Sequence, residues 1–250
     1  MNLLDSNKMT DEEIRQQLMH RFSTARRPLG RWRLNFYVLW KRMSWRIVVQ
    51  SALAVKRVLD IIGSIVALLL LSPLFLLVAI LIKIEDRGPV FLVQKRVGKH
   101  GREFPMVKFR SMIVNADEHL SKLLAQNKHK EGITFKIKDD PRVTRVGRIL
   151  RKLSIDEFPQ FWNVLRGQMS LVGPRPCLQR EVQHYTLEQR RRLEATPGLT
   201  CLWQIGGRAE VDFSGQVALD VRYIESQSFW GDIKILFKTV PAVLFSKGAY

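Results

Sequence analysis

The residues best placed to do chemistry are Asp156 and Glu157, adjacent carboxylates in SIDEFPQFWNVLRGQMSLVGPRP, from Ser154 to Pro176. Beyond them Phe158, Phe161, Trp162 and Leu165 recur at helical spacing. Ser154 followed by Glu157 has the form of a capping box, and Pro159, lacking an N–H, suits a first helical turn. Together these features predict two acids at the positive end of a helix dipole, which favours their ionised forms. Arg142, Arg145, Arg148, Arg151 and Lys152 precede the pair, and the stiff turn Gly173-Pro174-Arg175-Pro176 follows it. Ionised carboxylates framed by cations suit a divalent metal and a phosphorylated substrate. A helix cap among surface arginines would present the same residues, so the wider chain has to decide.

Several elements would position this stretch. Val90 to Val97 reads as a strand, and a second over 103–112 places Lys108 and Arg110 on one face, where they could grip a diphosphate or simply meet solvent. Asn115 to Asn127 reads as a helix, Phe135 to Ile137 as a short strand, and Leu178 to Glu194 as an amphipathic helix. Leu199 to Ile205 is strand-like and closes on Gly206-Gly207-Arg208, where backbone can approach a ligand with Arg208 at hand. Gln216 to Glu225 resumes helix, with Asp220 and Tyr223 on one face. The apolar tail from Phe229 to Ser246 either packs on the core or lies along a bilayer.

From Ile61 to Ile82 there is no charged residue. At ~1.5 Å per residue that run can cross a hydrocarbon core of ~30 Å. Ser72-Pro73 interrupts its middle, and both flanks are basic: Lys56 and Arg57 before, Lys83, Arg87, Lys95 and Arg96 after. Basic flanks give no clear outer end. A helix–break–helix hairpin entering and leaving by one face accounts for both features; a plain transmembrane helix accounts for the length. Ahead of it, arginines and lysines interleave with Trp32, Phe36, Tyr37, Trp40 and Trp45, as in a segment at a membrane interface.

Lys and Arg outnumber Asp and Glu by 41 to 23, a formal charge of +18, so the surface seeks anions: nucleic acid, anionic lipid or phosphorylated substrates. No nucleic-acid motif appears, and the carboxylate pair would have no role in such a protein. A two-metal phosphatase or nuclease would recruit further ligands, and the five histidines show no ligand spacing. Cys177 and Cys201 form no metal spacing and no disulfide framework, as expected of buried thiols in a reducing cytosol. The expected fold is α+β and membrane-associated. It comprises an N-terminal extension over 1–55, a re-entrant hairpin over 56–85, and a small catalytic domain over 86–250 with short strands and amphipathic interfacial helices.

Several ordered motifs carry a resemblance: KRVLD before the apolar run, Ser72-Pro73 within it, KFRSM at 108–112, RKLSIDEFPQ at 151–160, NVLRGQMSLVGPRP at 163–176 and PGLTCLWQIGGR at 197–208. From about Lys56 onward the chain resembles the monotopic phosphoglycosyl transferases, bacterial sugar transferases that start glycoconjugate assembly on a polyprenyl phosphate. The resemblance implies that Ser72-Pro73 makes a re-entrant hairpin in the inner membrane, with the catalytic domain on the cytoplasmic face. It implies that Asp156 attacks the β-phosphate of a UDP-sugar, releasing UMP, and that undecaprenyl phosphate then takes the phosphosugar. The product would initiate an exopolysaccharide, capsule or O-antigen type glycan. Glu157 would help hold Mg²⁺. Arg151 and Arg175, the latter between Pro174 and Pro176, match phosphate-binding positions; Lys108, Arg110, Arg145 and Arg208 are further candidate contacts. The implied partners are a UDP-sugar, undecaprenyl phosphate and membrane lipids, without nucleic acid, and a homodimer is compatible. Two departures stand out: Phe158 where the family usually has leucine, and Gly206 where asparagine is common. The first fifty residues lie outside the shared pattern.

Overall fold

A computed structural model describes residues 28–116, 140–207 and 211–245, with Glu12, Glu13, Arg15, Gln16 and Met19 before them. The strand expected over 135–137, most of the helix expected over 115–127, and Arg208 lie outside the described residues. Residues 1–55 and 56–250 form two compact units. Helix α1 (Pro28–Asp86) has residues in both. In the first unit Trp32, Phe36 and Trp40, spaced one turn apart, are all exposed, and the Trp32 and Phe36 rings stack with centroids 5.9 Å apart.

Around Pro73 the structure differs from the expected helix–break–helix: α1 stays helical through Ser72-Pro73. The reason is local. Proline cannot donate to the carbonyl four residues back, which is that of Leu69. Ser72 Oγ donates to that same carbonyl at 2.8 Å, so the orphaned acceptor is satisfied without leaving the helix. By length and apolarity α1 is, among the described residues, the one helix able to cross a membrane.

Both ends of the apolar run are tied to the rest of the second unit. Before it, Lys56 Nζ reaches Asp232 Oδ2 at 2.5 Å and Val172 O at 3.0 Å, and Arg57 donates to Val164 O and Leu165 O. Buried Asp60 accepts from Ser170 Oγ (3.0 Å) and Leu171 N (2.9 Å). After the run, Val78 and Ile82 pack with Phe109 and Leu150, and Asp86 pairs with Arg110.

Strands β1 (Phe91–Val97) and β2 (Glu103–Phe109) form an antiparallel ribbon, Phe91 opposite Phe109 and Val97 opposite Glu103. Alternation sends its residues to two faces. Phe104 and Met106 enter the main core with Val164, Met169, Leu171, Val172, Tyr223 and Ile235. Phe109 points the other way, edge-on to Phe75 of α1 with centroids 5.1 Å apart. Helix α2 (Arg145–Lys152) is capped by Thr144, whose Oγ1 accepts from Gly147 N at 2.9 Å. Helix α3 (Gln160–Leu165) leads to β3 (Ser170–Val172), which pairs in parallel with β4 (Gly198–Thr200).

Two expected elements change character. The helix over 178–194 is instead α4 (Gln179–Val182), α5 (Leu187–Arg190) and a 3-10 turn at 191–194. Thr186 and Gln189 form a reciprocal capping box, a helix start inside the supposed helix. The strand-like run 199–205 contributes Leu199 and Thr200 to β4, then turns into α6 (Leu202–Gly206). Helices α7 (Phe213–Glu225), capped by Asp212, and α8 (Phe229–Phe245) close the core. The inner side of α8, including Asp232 and Ile235, is buried, while Trp230 and Phe237 are exposed, so the tail packs on the core and still presents aromatics outward.

Helix α2 reaches its place through a close approach: a Cβ on Gly147 would lie 2.0 Å from the Ser111 carbonyl oxygen. That contact is with backbone and cannot yield by rotation. Gly147→Ala should therefore destabilise the fold by about 2 kcal/mol or more, read as a lowered thermal midpoint in detergent; an unchanged midpoint would remove this contact from its role.

Candidate active site

The carboxylate pair is not built as its local sequence suggests. Ser154 sits in the left-handed region (φ 55°) and its side chain caps nothing. Asp156 and Glu157 lie on a 3-10 turn over 155–157, ahead of α3, which begins at Gln160. The expected capping box fails because distant cations claim Glu157. Lys108 Nζ donates to its Oε1 at 3.0 Å, and Arg175 Nη2 donates to the same oxygen at 2.6 Å.

Each of those cations is delivered by a separate device. Lys108 comes from β2, which is fixed to α3 by buried Asn163: its Oδ1 accepts from Val107 N (3.0 Å) and its Nδ2 donates to Pro105 O (2.7 Å). Arg175 comes from the turn after β3, which lies against β4 at glycine distance; a Cβ on Gly198 would stand 2.0 Å from Gly173 N. Gly198 N donates to Pro174 O at 2.8 Å. The Arg175 guanidinium also lies 6.0 Å from the centre of the Trp203 ring.

The two acids are thereby given opposite characters. Burial would raise Glu157, but Arg175 and Lys108 overcome it and hold this carboxyl well below the usual range. Asp156 is 8% exposed and makes no hydrogen bond or ion pair among the described residues. Burial raises its pKa to about 6, with neighbouring Glu157 adding to the rise while Lys108, Arg151 and Arg175 oppose it. Arg151, whose Nε donates to Ser111 Oγ at 2.9 Å, lines the same cleft as Asp156. The result is a carboxylate with free lone pairs beside one held by two cations.

All of these groups open onto a cleft of about 1480 Å³. Asp156, Glu157, Lys108, Arg151, Arg175 and Pro176 line it. Arg110 also reaches its wall, but its charge is engaged elsewhere: Nη1 donates to Asp86 Oδ2 at 2.7 Å and Nε to Pro89 O at 2.6 Å. It lies just past the end of β2 and lines the cleft together with Lys108, but Asp86 holds its guanidinium. Arg145 is exposed and does not line the cleft, and its backbone N–H donates to Glu85 Oε1 at 2.7 Å. Pro174 is buried behind the wall. Three cleft residues were missed: Arg96, Trp203 and Arg192, the last paired with buried Asp220 at 2.6 Å. For Arg96 a signal existed, since Gln94 and Arg96 alternate on one strand face. Cys177 and Cys201 are free, buried thiols, both pushed up by burial.

Residues 51–246 match the family described as bacterial sugar transferase. The exopolysaccharide production protein ExoY of Sinorhizobium fredii is 46% identical over 198 residues, covering 78% of this chain and 88% of the relative. An undecaprenyl-phosphate galactose phosphotransferase of Salmonella typhimurium is 43% identical, covering 85% of this chain and 45% of the relative. An undecaprenyl-phosphate glucose phosphotransferase of Komagataeibacter xylinus is 43% identical over 78% of this chain and 37% of the relative. The chain thus spans most of the first and less than half of the other two.

The two carboxylates should answer substitution in opposite ways. An acid with a raised pKa loses stability as pH climbs from the ordinary carboxylate range through about 6; one with a depressed pKa contributes stability above that range. In EDTA at pH 7.5, Asp156→Asn should raise the thermal midpoint, its advantage fading as pH falls toward ~4. Glu157→Gln, which strands Lys108 and the partly exposed Arg175, should lower stability by about 2 kcal/mol. Midpoints that moved together would contradict this division.

Proposed function

Because the chain belongs to the bacterial sugar transferase family, we propose that it moves a sugar 1-phosphate from a UDP-sugar to undecaprenyl phosphate through a covalent aspartyl intermediate. One observation carries this reading: among the described residues Asp156 is a buried carboxylate without a hydrogen-bond partner, while Glu157 beside it is held by Lys108 and Arg175. A hydrogen-bonded carboxylate has its lone pairs engaged; Asp156 does not, so it is the nucleophile. An Asp156 carboxylate oxygen bonds to the β-phosphorus as the bond to the bridging oxygen breaks, and UMP leaves with that oxygen. An oxygen of the polyprenyl phosphate then attacks the same phosphorus and returns Asp156 as carboxylate. Lys108, Arg151 and Arg175 offset the phosphate charge in both steps.

Mg²⁺ fits this site as a shared ligand. Among the described residues no group of three or more acids, histidines or cysteines could cage a metal. Asp156 and Glu157 would supply two oxygens, with phosphate and water completing the shell, as Mg²⁺ accepts. Oε2 of Glu157, contacted only by Arg175 Nη1 at 3.4 Å, is open to such a role. Bound there, the ion would neutralise charge developing on the diphosphate.

The apolar run is read as monotopic, entering and leaving at the cytoplasmic face of the inner membrane. Support comes from its two ends: Asp60 before it and Asp86 after it are both hydrogen-bonded to the catalytic unit. This reading has α1, helical through Ser72-Pro73, bend at the proline, as a proline inside a helix does. Charge of +18 serves anionic lipid and phosphorylated substrates in this reading rather than nucleic acid, and a homodimer is compatible with it. The glycan is read as an exopolysaccharide, the product in the ExoY relative's name, with a capsule or O-antigen type glycan the alternative.

UMP release from a panel of UDP-sugars with undecaprenyl phosphate and Mg²⁺ tests the reaction and identifies the sugar. Asp156→Asn should lower the rate by at least ~1000-fold and abolish labelling of the enzyme by a β-³²P donor; normal labelling would remove Asp156 from its role. For topology, Ser51→Cys and Lys99→Cys should react with an impermeant thiol reagent only from the cytoplasmic side. Labelling from opposite sides would establish a crossing.

A further inference from the structure

Among the described residues, Arg96 is a cation without an acid partner. It lies on β1 opposite Phe104 and lines the cleft, half-buried. Its guanidinium is aimed by neutral groups: Nη2 and Nε donate to Gln94 Oε1 at 2.8 and 3.2 Å, and Nη1 to Pro176 O at 3.3 Å. The strand end is fastened to the same turn, Val97 N donating to Cys177 O at 2.9 Å. Among the described residues no carboxylate forms an ion pair with it. Glu157 is already shared by Lys108 and Arg175, and Glu181 accepts from Leu178 N at 2.9 Å. Arginine does not shed its proton under ordinary conditions, so a partly buried, unpaired guanidinium beside a second one is costly until an anion arrives. Burial and the charge of Arg175 push Arg96 down to about 10, which expresses the same strain on the cation.

Arg96 Nη1 reaches the carbonyl of Pro176, the residue after Arg175, so Arg96 lines the cleft next to the Lys108–Arg175 pair that holds Glu157. We propose that Arg96, aimed by Gln94, binds the second phosphate of a diphosphate whose first phosphate lies at Lys108 and Arg175. With a nucleoside-diphosphate sugar this is the α-phosphate, the one that departs with the nucleoside. The assignment rests on the reading of the donor given above, and Arg96 would hold the leaving group as its charge develops.

The test uses the full-length protein in detergent, with inorganic pyrophosphate and inorganic phosphate as probes. Wild type should bind pyrophosphate more tightly than phosphate. Arg96→Met should weaken pyrophosphate about 10-fold with little effect on phosphate, and Arg96→Lys should restore most of the loss. Gln94→Glu is the sharper variant: it keeps the guanidinium and its Pro176 contact but supplies the missing carboxylate, and should also weaken pyrophosphate. If Arg96 merely ties β1 to the turn, Gln94→Glu will leave pyrophosphate binding unchanged, and the proposal fails. It fails too if Arg96→Met weakens both probes equally. Should wild type transfer nothing from any nucleotide sugar while this pyrophosphate pattern holds, the donor reading falls and the diphosphate site stands.

Discussion

The structure depends on a single carboxyl oxygen, Oε1 of Glu157, which accepts from Lys108 and Arg175 together. These partners come from segments far apart in sequence, one on β2 and one on the turn after β3. Their convergence fixes the 3-10 turn on which Asp156 rides. It also resolves a conflict, because two neighbouring buried carboxylates cannot both stay ionised without help. The cations are given unequally. Glu157 takes the hydrogen bonds and becomes a permanent anion, while Asp156 receives only their field and keeps its oxygens free. Division of the two roles therefore follows from geometry rather than from any difference between aspartate and glutamate.

That geometry is held by backbone contacts with almost no slack. The Arg175 turn lies against β4 at a separation only glycine allows, and α2 crosses the Ser111 carbonyl at Gly147. Asn163 joins α3 to β2 through two main-chain groups. Polar anchors of this kind are costly to bury unless fully paired, and here they are paired. They restrict position more than they add stability. A site that must hold phosphate oxygens needs that restriction, since charge-assisted contacts are sensitive to small errors in placement.

Much of this was legible before the structure. The acids, the cationic frame, the Gly-Pro-Arg-Pro turn and the apolar run are all local patterns, and each appears where its residues are. What misled were patterns whose local partner was outcompeted. Ser154 and Glu157 have capping-box spacing, yet two distant cations bind Glu157 more strongly than a backbone N–H can. Arg110 alternates with Lys108 in sequence, but Asp86 at the end of α1 claims it; nothing near residue 110 announces that partner. Thr186 and Gln189, by contrast, were a readable helix start overlooked inside a longer apolar rhythm. Ser72-Pro73 has the composition of a break, and its serine repairs the carbonyl the proline abandons.

The same reasoning bears on how the apolar run and the cleft belong together. Lys56, Arg57 and Asp60 enter the catalytic unit as the run begins, and Glu85 and Asp86 return to it as the run ends. Two sets of polar ties at either end of an apolar segment leave that segment little freedom to change depth without breaking buried hydrogen bonds. Phe75, midway between them, meets Phe109 edge-on, one residue along β2 from Lys108. The lipid-seeking part of the chain and the phosphate-seeking part are thus neighbours on one strand, facing opposite ways. In the proposed reaction, whose acceptor would have its phosphate at the headgroups and its tail in hydrocarbon, that alternation would set the height of Asp156 by the pleat of β2.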